Sequence, residues 1–77
     1  MNADRRKQLG IIASELDVLM ERLDTIRADE ESAREAMPES LQNSERGEQS
    51  QTAIDALDSA YSDLDCAVTS IREVQES

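Results

Sequence analysis

Apolar side chains in the first half of the chain fall at Leu9, Ile12, Leu16, Leu19, Leu23, Ile26, Ala33 and Met37, alternately three and four residues apart, with Glu30 the one interruption. This is an a/d heptad series, and a helix is the regular element that gathers such positions on one face. The stretch from about Arg5 to Ala36 is rich in helix formers and free of proline, so the spacing predicts a first helix over 5–36. The second half repeats the rhythm at Ile54, Leu57, Tyr61, Leu64, Val68, Ile71 and Gln75, which predicts a second helix over about 44–75.

The connector between them reads differently. Pro38 lacks an amide hydrogen and biases Met37 away from helical torsions, so the first helix is expected to stop there and the turn to occupy 37–43. Asn43 and Ser44 are both good N-caps for the second helix, with Glu45 and Glu48 placed to meet the positive end of its dipole. Leu41, apolar in a polar connector, is expected to fold back over the end of the helix pair. A connector of this length cannot carry the chain back along a helix, so the two helices must run antiparallel. The fold expected is a single all-α domain over 1–77, an antiparallel two-helix coiled-coil hairpin.

A row of mostly small residues, Ala53, Ala60, Ala67 and Val74, flanks the second seam at heptad position g. The first helix carries a patchier flank of Ala13 and Met20 at e, with Ile11 and Val18 at c. A two-helix hairpin buries one side of each seam, which is little for a chain of 77 residues. Ile11, Val18, Met20, Ala53, Ala60, Ala67 and Val74 therefore form the expected dimer face, through which two copies would build an antiparallel four-helix bundle.

Composition narrows the chemistry. There is no Phe, Trp or His, and Tyr61 is the only aromatic. Without histidine the chain lacks the usual base near neutral pH, the commonest metal ligand and every imidazole triad. Cys66, the only cysteine, falls at heptad f; Asp63 and Asp65 beside it disfavour a thiolate, so it reads as a small outer residue. No phosphate-binding glycine loop, zinc spacing or calcium loop is present. The reading is of a non-enzyme with no catalytic residue, no metal site and no cofactor. One unpaired cysteine points to a reducing compartment, and the lack of a leader or of a long apolar run makes the cytoplasm the expected location.

Eighteen acidic residues against eight basic ones leave a net charge of -10. That field opposes direct binding to nucleic acid or an anionic membrane and favours basic partners. The balance is uneven: residues 4–7, with Arg5, Arg6 and Lys7, are net +2, so the remainder carries -12. Asp17, Glu21, Asp55, Asp58 and Asp65 form the candidate interaction surface. Three readings compete for it: a solvated exterior, a mimic of nucleic-acid phosphates that captures a basic host protein, and a divalent-cation site. Glu30, at a core position, either fixes register by reaching Arg46 across the pair or extends into solvent where the helices splay.

The run Met37-Pro38-Glu39-Ser40-Leu41-Gln42-Asn43-Ser44-Glu45-Arg46-Gly47-Glu48, followed by Ala53-Ile54-Asp55-Ala56-Leu57, resembles the "MPE-LQ-SER" turn and acidic helix of small proteins of phages and integrated or conjugative elements of Gram-positive bacteria. The resemblance covers chiefly 37–75 and implies a helical hairpin with an accessory role in a mobile element. That group carries no assigned biochemical activity, so the likeness transfers no catalytic residue. It does favour interference with a host nucleic-acid-binding system.

Overall fold

Asn2 starts the first helix: its side-chain Oδ1 accepts from the Arg5 N–H at 2.8 Å, satisfying one of the donors a helix leaves open at its N-terminus. In the computed structural model of the protein, which describes Met1–Ser77, α1 accordingly runs Ala3–Glu35, beginning two residues before the expected start. A single helical turn, α2, spans Glu39–Gln42, and α3 spans Glu45–Glu76. No strand is present, and α1 packs along α3 to form a rod of 58 × 14 × 12 Å.

The connector closes through hydrogen bonds that its sequence supplies. Pro38 caps α2, its carbonyl accepting from Leu41 N–H and Gln42 N–H. The Gln42 side-chain amide donates to the Met37 carbonyl at 2.9 Å and more weakly to that of Glu35, so it satisfies acceptors left open at the end of α1. Ser44, not Asn43, is the N-cap of α3, but its hydroxyl donates back to the Leu41 carbonyl instead of accepting from the helix. Leu41 stays exposed, so the expected lid over the end of the pair is not made.

Four contacts set the pairing of the helices. Arg34 Nε donates to the Gly47 carbonyl at 3.2 Å, and the Ser50 hydroxyl donates to Glu30 Oε1 at 2.6 Å. Farther from the turn, Arg27 lies 3.4 Å from an Asp58 oxygen, and Arg72 pairs with Asp17.

The seam on α3 follows the expected rhythm, with Ile54 and Val68 buried and Leu57, Leu64, Ile71 and Gln75 half-buried; Tyr61 is more open. The seam on α1 does not. Its inward positions are Leu9, Ala13, Leu16, Met20, Leu23, Arg27, Glu30, Arg34 and Met37. Ala13 and Met20 from the expected flank are buried, while Ile12, Leu19 and Ile26 from the expected seam are 45 %, 49 % and 59 % exposed. The helix has turned by about half the angle between neighbouring residues. Rotation brings Arg27, Arg34 and Asp17 within reach of polar groups on α3, and the small Ala13 lets the helices approach closely.

Candidate functional site

Both helices carry an apolar stripe wider than one seam requires, and the pairing divides that width in two. Helical geometry puts the α1 row Ile12, Leu19, Ile26 and Ala33 on one side of its seam, about 77° from the direction of α3. On α3 the row Ala53, Ala60, Ala67 and Val74 stands at the same angle and in the same sense. In an antiparallel pair, rows offset in the same sense emerge on the same broad face. The opposite rows, Asp17, Asp24 and Glu31 on α1 and Gln51, Asp58, Asp65 and Arg72 on α3, meet on the other face. The Asp17–Arg72 and Arg27–Asp58 ion pairs lie there, which fixes the assignment.

The hairpin thus has one apolar and one charged broad face. The apolar face carries Ile12, Leu19 and Ile26 opposite Ala53, Ala60, Ala67 and Val74, with half-buried Leu16, Leu23, Leu57, Leu64 and Ile71 along its midline. Val74 is 42 % exposed. The cross-helix contacts set Ile12 about level with Val74, Leu19 with Ala67 and Ile26 with Ala60. Two members of the expected dimer face, Ile11 and Val18, point away from the seam on the outer side of α1. Met20 is corrected outright: it is 5 % exposed, enclosed with Ala13 and Val68 in the small core of the hairpin, because the rotation of α1 turned it inward. The row that stands exposed on the apolar face is Ile12–Leu19–Ile26.

On the charged side, Asp17, Asp58 and Asp65 share the broad face, while Glu21 and Asp55 lie farther round toward the outer edges. Two arginines break up the acid. Arg72 neutralises Asp17, and Arg27 holds Asp24 at 3.1 Å, Glu31 at 2.6 Å and Asp58 at 3.4 Å. Hydrogen bonds to Asp24 and then Glu31 raise the Arg27 pKa, with Asp58 adding to the pull, so its charge is fixed at every working pH. Asp55 accepts from Gln51 Nε2 at 2.9 Å. Nowhere do three or more acidic or thiol side chains converge in a cation-binding arrangement. Cys66 is an exposed free thiol.

The two concavities are open and shallow. One of about 580 Å³ lies beside Gly10 and Arg72, and one of about 360 Å³ lies between Glu30, Met37, Arg46 and Ser50. Glu30 neither pairs with Arg46 nor extends free into solvent. Its acceptor is used by Ser50, a residue only 6 % exposed, and this pair sits in the seam where two apolar side chains would pack. Glu30→Leu combined with Ser50→Ala is expected to raise the melting temperature, because a half-buried carboxylate on a buried hydroxyl gives less than apolar packing in their place. Glu30→Leu alone gains less, since it strips the buried Ser50 hydroxyl of its acceptor. Thermal melts of the two singles and the double measure this; a double less stable than wild type makes the pair a net stabiliser.

No family model, curated protein or solved structure matches the chain. No helix is long and apolar enough to cross a membrane.

Proposed function

We propose that this chain is a non-enzymatic protein–protein interaction module that works as a homodimer, two hairpins joined through their apolar faces into a four-helix bundle. The observation that carries this reading is the exposure of Ile12, Leu19 and Ile26 in one row, level with Ala60, Ala67 and Val74. Single exposed aliphatics are ordinary, but a continuous apolar face along a rod marks an interaction surface. The face runs about 24 residues, roughly 36 Å, and is two helices wide, about 20 Å, or on the order of 700 Å² per copy. Two such faces bury about 1,400 Å², inside the range of stable dimers. The hairpin's own core is thin, with Ala13, Met20, Ile54 and Val68 its only buried hydrophobics, and a second layer of helices would complete it.

The likeness of the turn to mobile-element proteins supports a structural or adaptor role in such an element, carried out in a reducing cytoplasm where Cys66 stays a thiol. Sedimentation equilibrium at micromolar concentration is expected to give twice the 8.6 kDa chain mass. A stable monomer overturns the reading.

A second reading, an acidic inhibitor that captures a basic host nucleic-acid-binding protein by charge mimicry, draws support from Asp17, Asp58 and Asp65 sharing one face. Arg27 and Arg72 standing among them weaken it. Under that reading, capture would fall steeply with ionic strength.

A further inference from the structure

We infer that the two hairpins of the dimer lie side by side with both turns at the same end, α1 of each copy resting on α3 of the other about a two-fold axis along the rod. The inference rests on the self-association proposed above and specifies its geometry. Its first ground is shape. Across the apolar face the α1 edge is bulky, with Ile12, Leu19 and Ile26, and the α3 edge is small, with Ala53, Ala60 and Ala67. A two-fold axis along the rod leaves each level unchanged and exchanges the edges. Leu19 then lies over the partner's Ala67, Ile26 over the partner's Ala60 and Ile12 over the partner's Val74. Every large side chain meets a small one or a valine, and the four helix axes can keep similar spacings.

The reverse arrangement, with turns at opposite ends, lays α1 on α1 and α3 on α3. With the full rows overlapped, the central levels are then mismatched: Leu19 meets the partner's Ile26 along one edge and Ala60 meets the partner's Ala67 along the other, while Ile12 falls on the partner's Ala33 and Val74 on the partner's Ala53. The first edge must open toward about 10 Å while the second closes toward about 8 Å, so the layers splay. All neighbouring helices are antiparallel in both arrangements, so helix dipoles do not choose between them.

Charge supplies the second ground. Arg22 and Asp63 are exposed, and neither takes part in an ion pair within its own chain. Each stands on the rim beyond the apolar row of its helix, and the two are at matching levels. In the same-end dimer Arg22 faces the partner's Asp63, and symmetry makes the pair twice. The contact spans the rim of the bundle, where a charge pair selects orientation more than it adds affinity.

The native Cys66 provides a probe that needs no substitution. It is the only cysteine, it is exposed, and heptad position f puts it on the outer edge of α3. In the same-end dimer the two α3 helices are diagonal, so spin labels on Cys66 point to opposite edges, roughly 25–30 Å apart by helix radius and spacing. The reverse arrangement brings both labels to one edge, roughly 10 Å apart. Dipolar EPR on the labelled dimer is expected to return the long distance. The short distance, in a sample whose mass is that of a dimer, overturns the arrangement and leaves self-association standing. No dipolar coupling together with a monomer mass overturns both.

Charge reversal gives an independent arm. Arg22→Glu and Asp63→Arg should each weaken dimerisation about threefold to tenfold, and the double variant should recover most of the loss. Failure of the double to recover counts against the same-end arrangement.

Discussion

A chain carrying Leu19→Glu and Ile26→Glu is expected to sediment as a monomer. Both side chains stand on the apolar face and are about half exposed in the isolated hairpin, at 49 % and 59 %, so about half of each is left for a partner on that face to cover. Covering an aliphatic side chain of this size contributes about 1.5–3 kcal/mol, and symmetry counts each substitution twice. With about half of each side chain left to cover, the dimer loses about 3–6 kcal/mol before the cost of four buried carboxylates, which raises Kd by roughly two to four orders of magnitude. Sedimentation equilibrium reads the mass, and thermal melts at several concentrations read the coupling: a melting temperature that rises with wild-type concentration should stop doing so in the variant. Ile11→Glu with Val18→Glu is the control. Those residues are equally exposed but lie on the outer side of α1, so that variant should remain a dimer. A dimer that survives the first pair and falls apart with the second would move the interface to the back of α1.

The second large effect is expected at a glycine that propensity alone would replace. Alanine is about 1 kcal/mol better than glycine inside a helix, and neither glycine here has a positive φ, so both look improvable. Gly47 is not. A Cβ there would lie 2.5 Å from the Leu41 carbonyl oxygen and closer still to the backbone of Gln42, where α2 crosses the first turn of α3. Backbone cannot swing aside, so Gly47→Ala should lose about 1–3 kcal/mol net and melt roughly 10 °C lower. At Gly10 a Cβ meets its nearest atom at the same 2.5 Å, but that atom is Nε2 of Gln75, the far end of a flexible side chain. Gly10→Ala should therefore melt a few degrees higher. Differential scanning calorimetry of the two variants makes the comparison; equal shifts would contradict the close crossing at the turn.

The two glycines show where sequence reading stops. Helical rhythm, the proline and the short connector are enough to read two antiparallel helices from the chain. The seam of α3 is legible because Ile54, Leu57, Leu64, Val68 and Ile71 leave one apolar direction. On α1 the stripe covers three heptad rows, and hydrophobicity favours Ile12, Leu19 and Ile26 over Ala13 and Met20. Periodicity reports the stripe, but which part of it faces α3 depends on polar groups far along the chain, such as Arg72 for Asp17. Periodicity alone therefore assigns the bulky row to the seam and Met20 to the surface. Glu30 is visible as a fault in the series; its partner Ser50 emerges only when the turn has set which residues face each other. The crowding at Gly47 depends on the path of α2, which no local pattern records.

The rod shape has a kinetic consequence. Cross-helix contacts climb away from the turn, from Arg34–Gly47 through Glu30–Ser50 and Arg27–Asp58 to Asp17–Arg72, their separations in sequence growing from 13 to 20 to 31 and finally 55 residues. Once the first contact holds, each later one closes only a small additional loop, and the entropy of loop closure grows slowly with length. Folding should thus proceed as a zipper from the Gly47 end, and the backbone amides beside Asp17 and Arg72 should exchange with solvent before those beside Arg34 and Ser50.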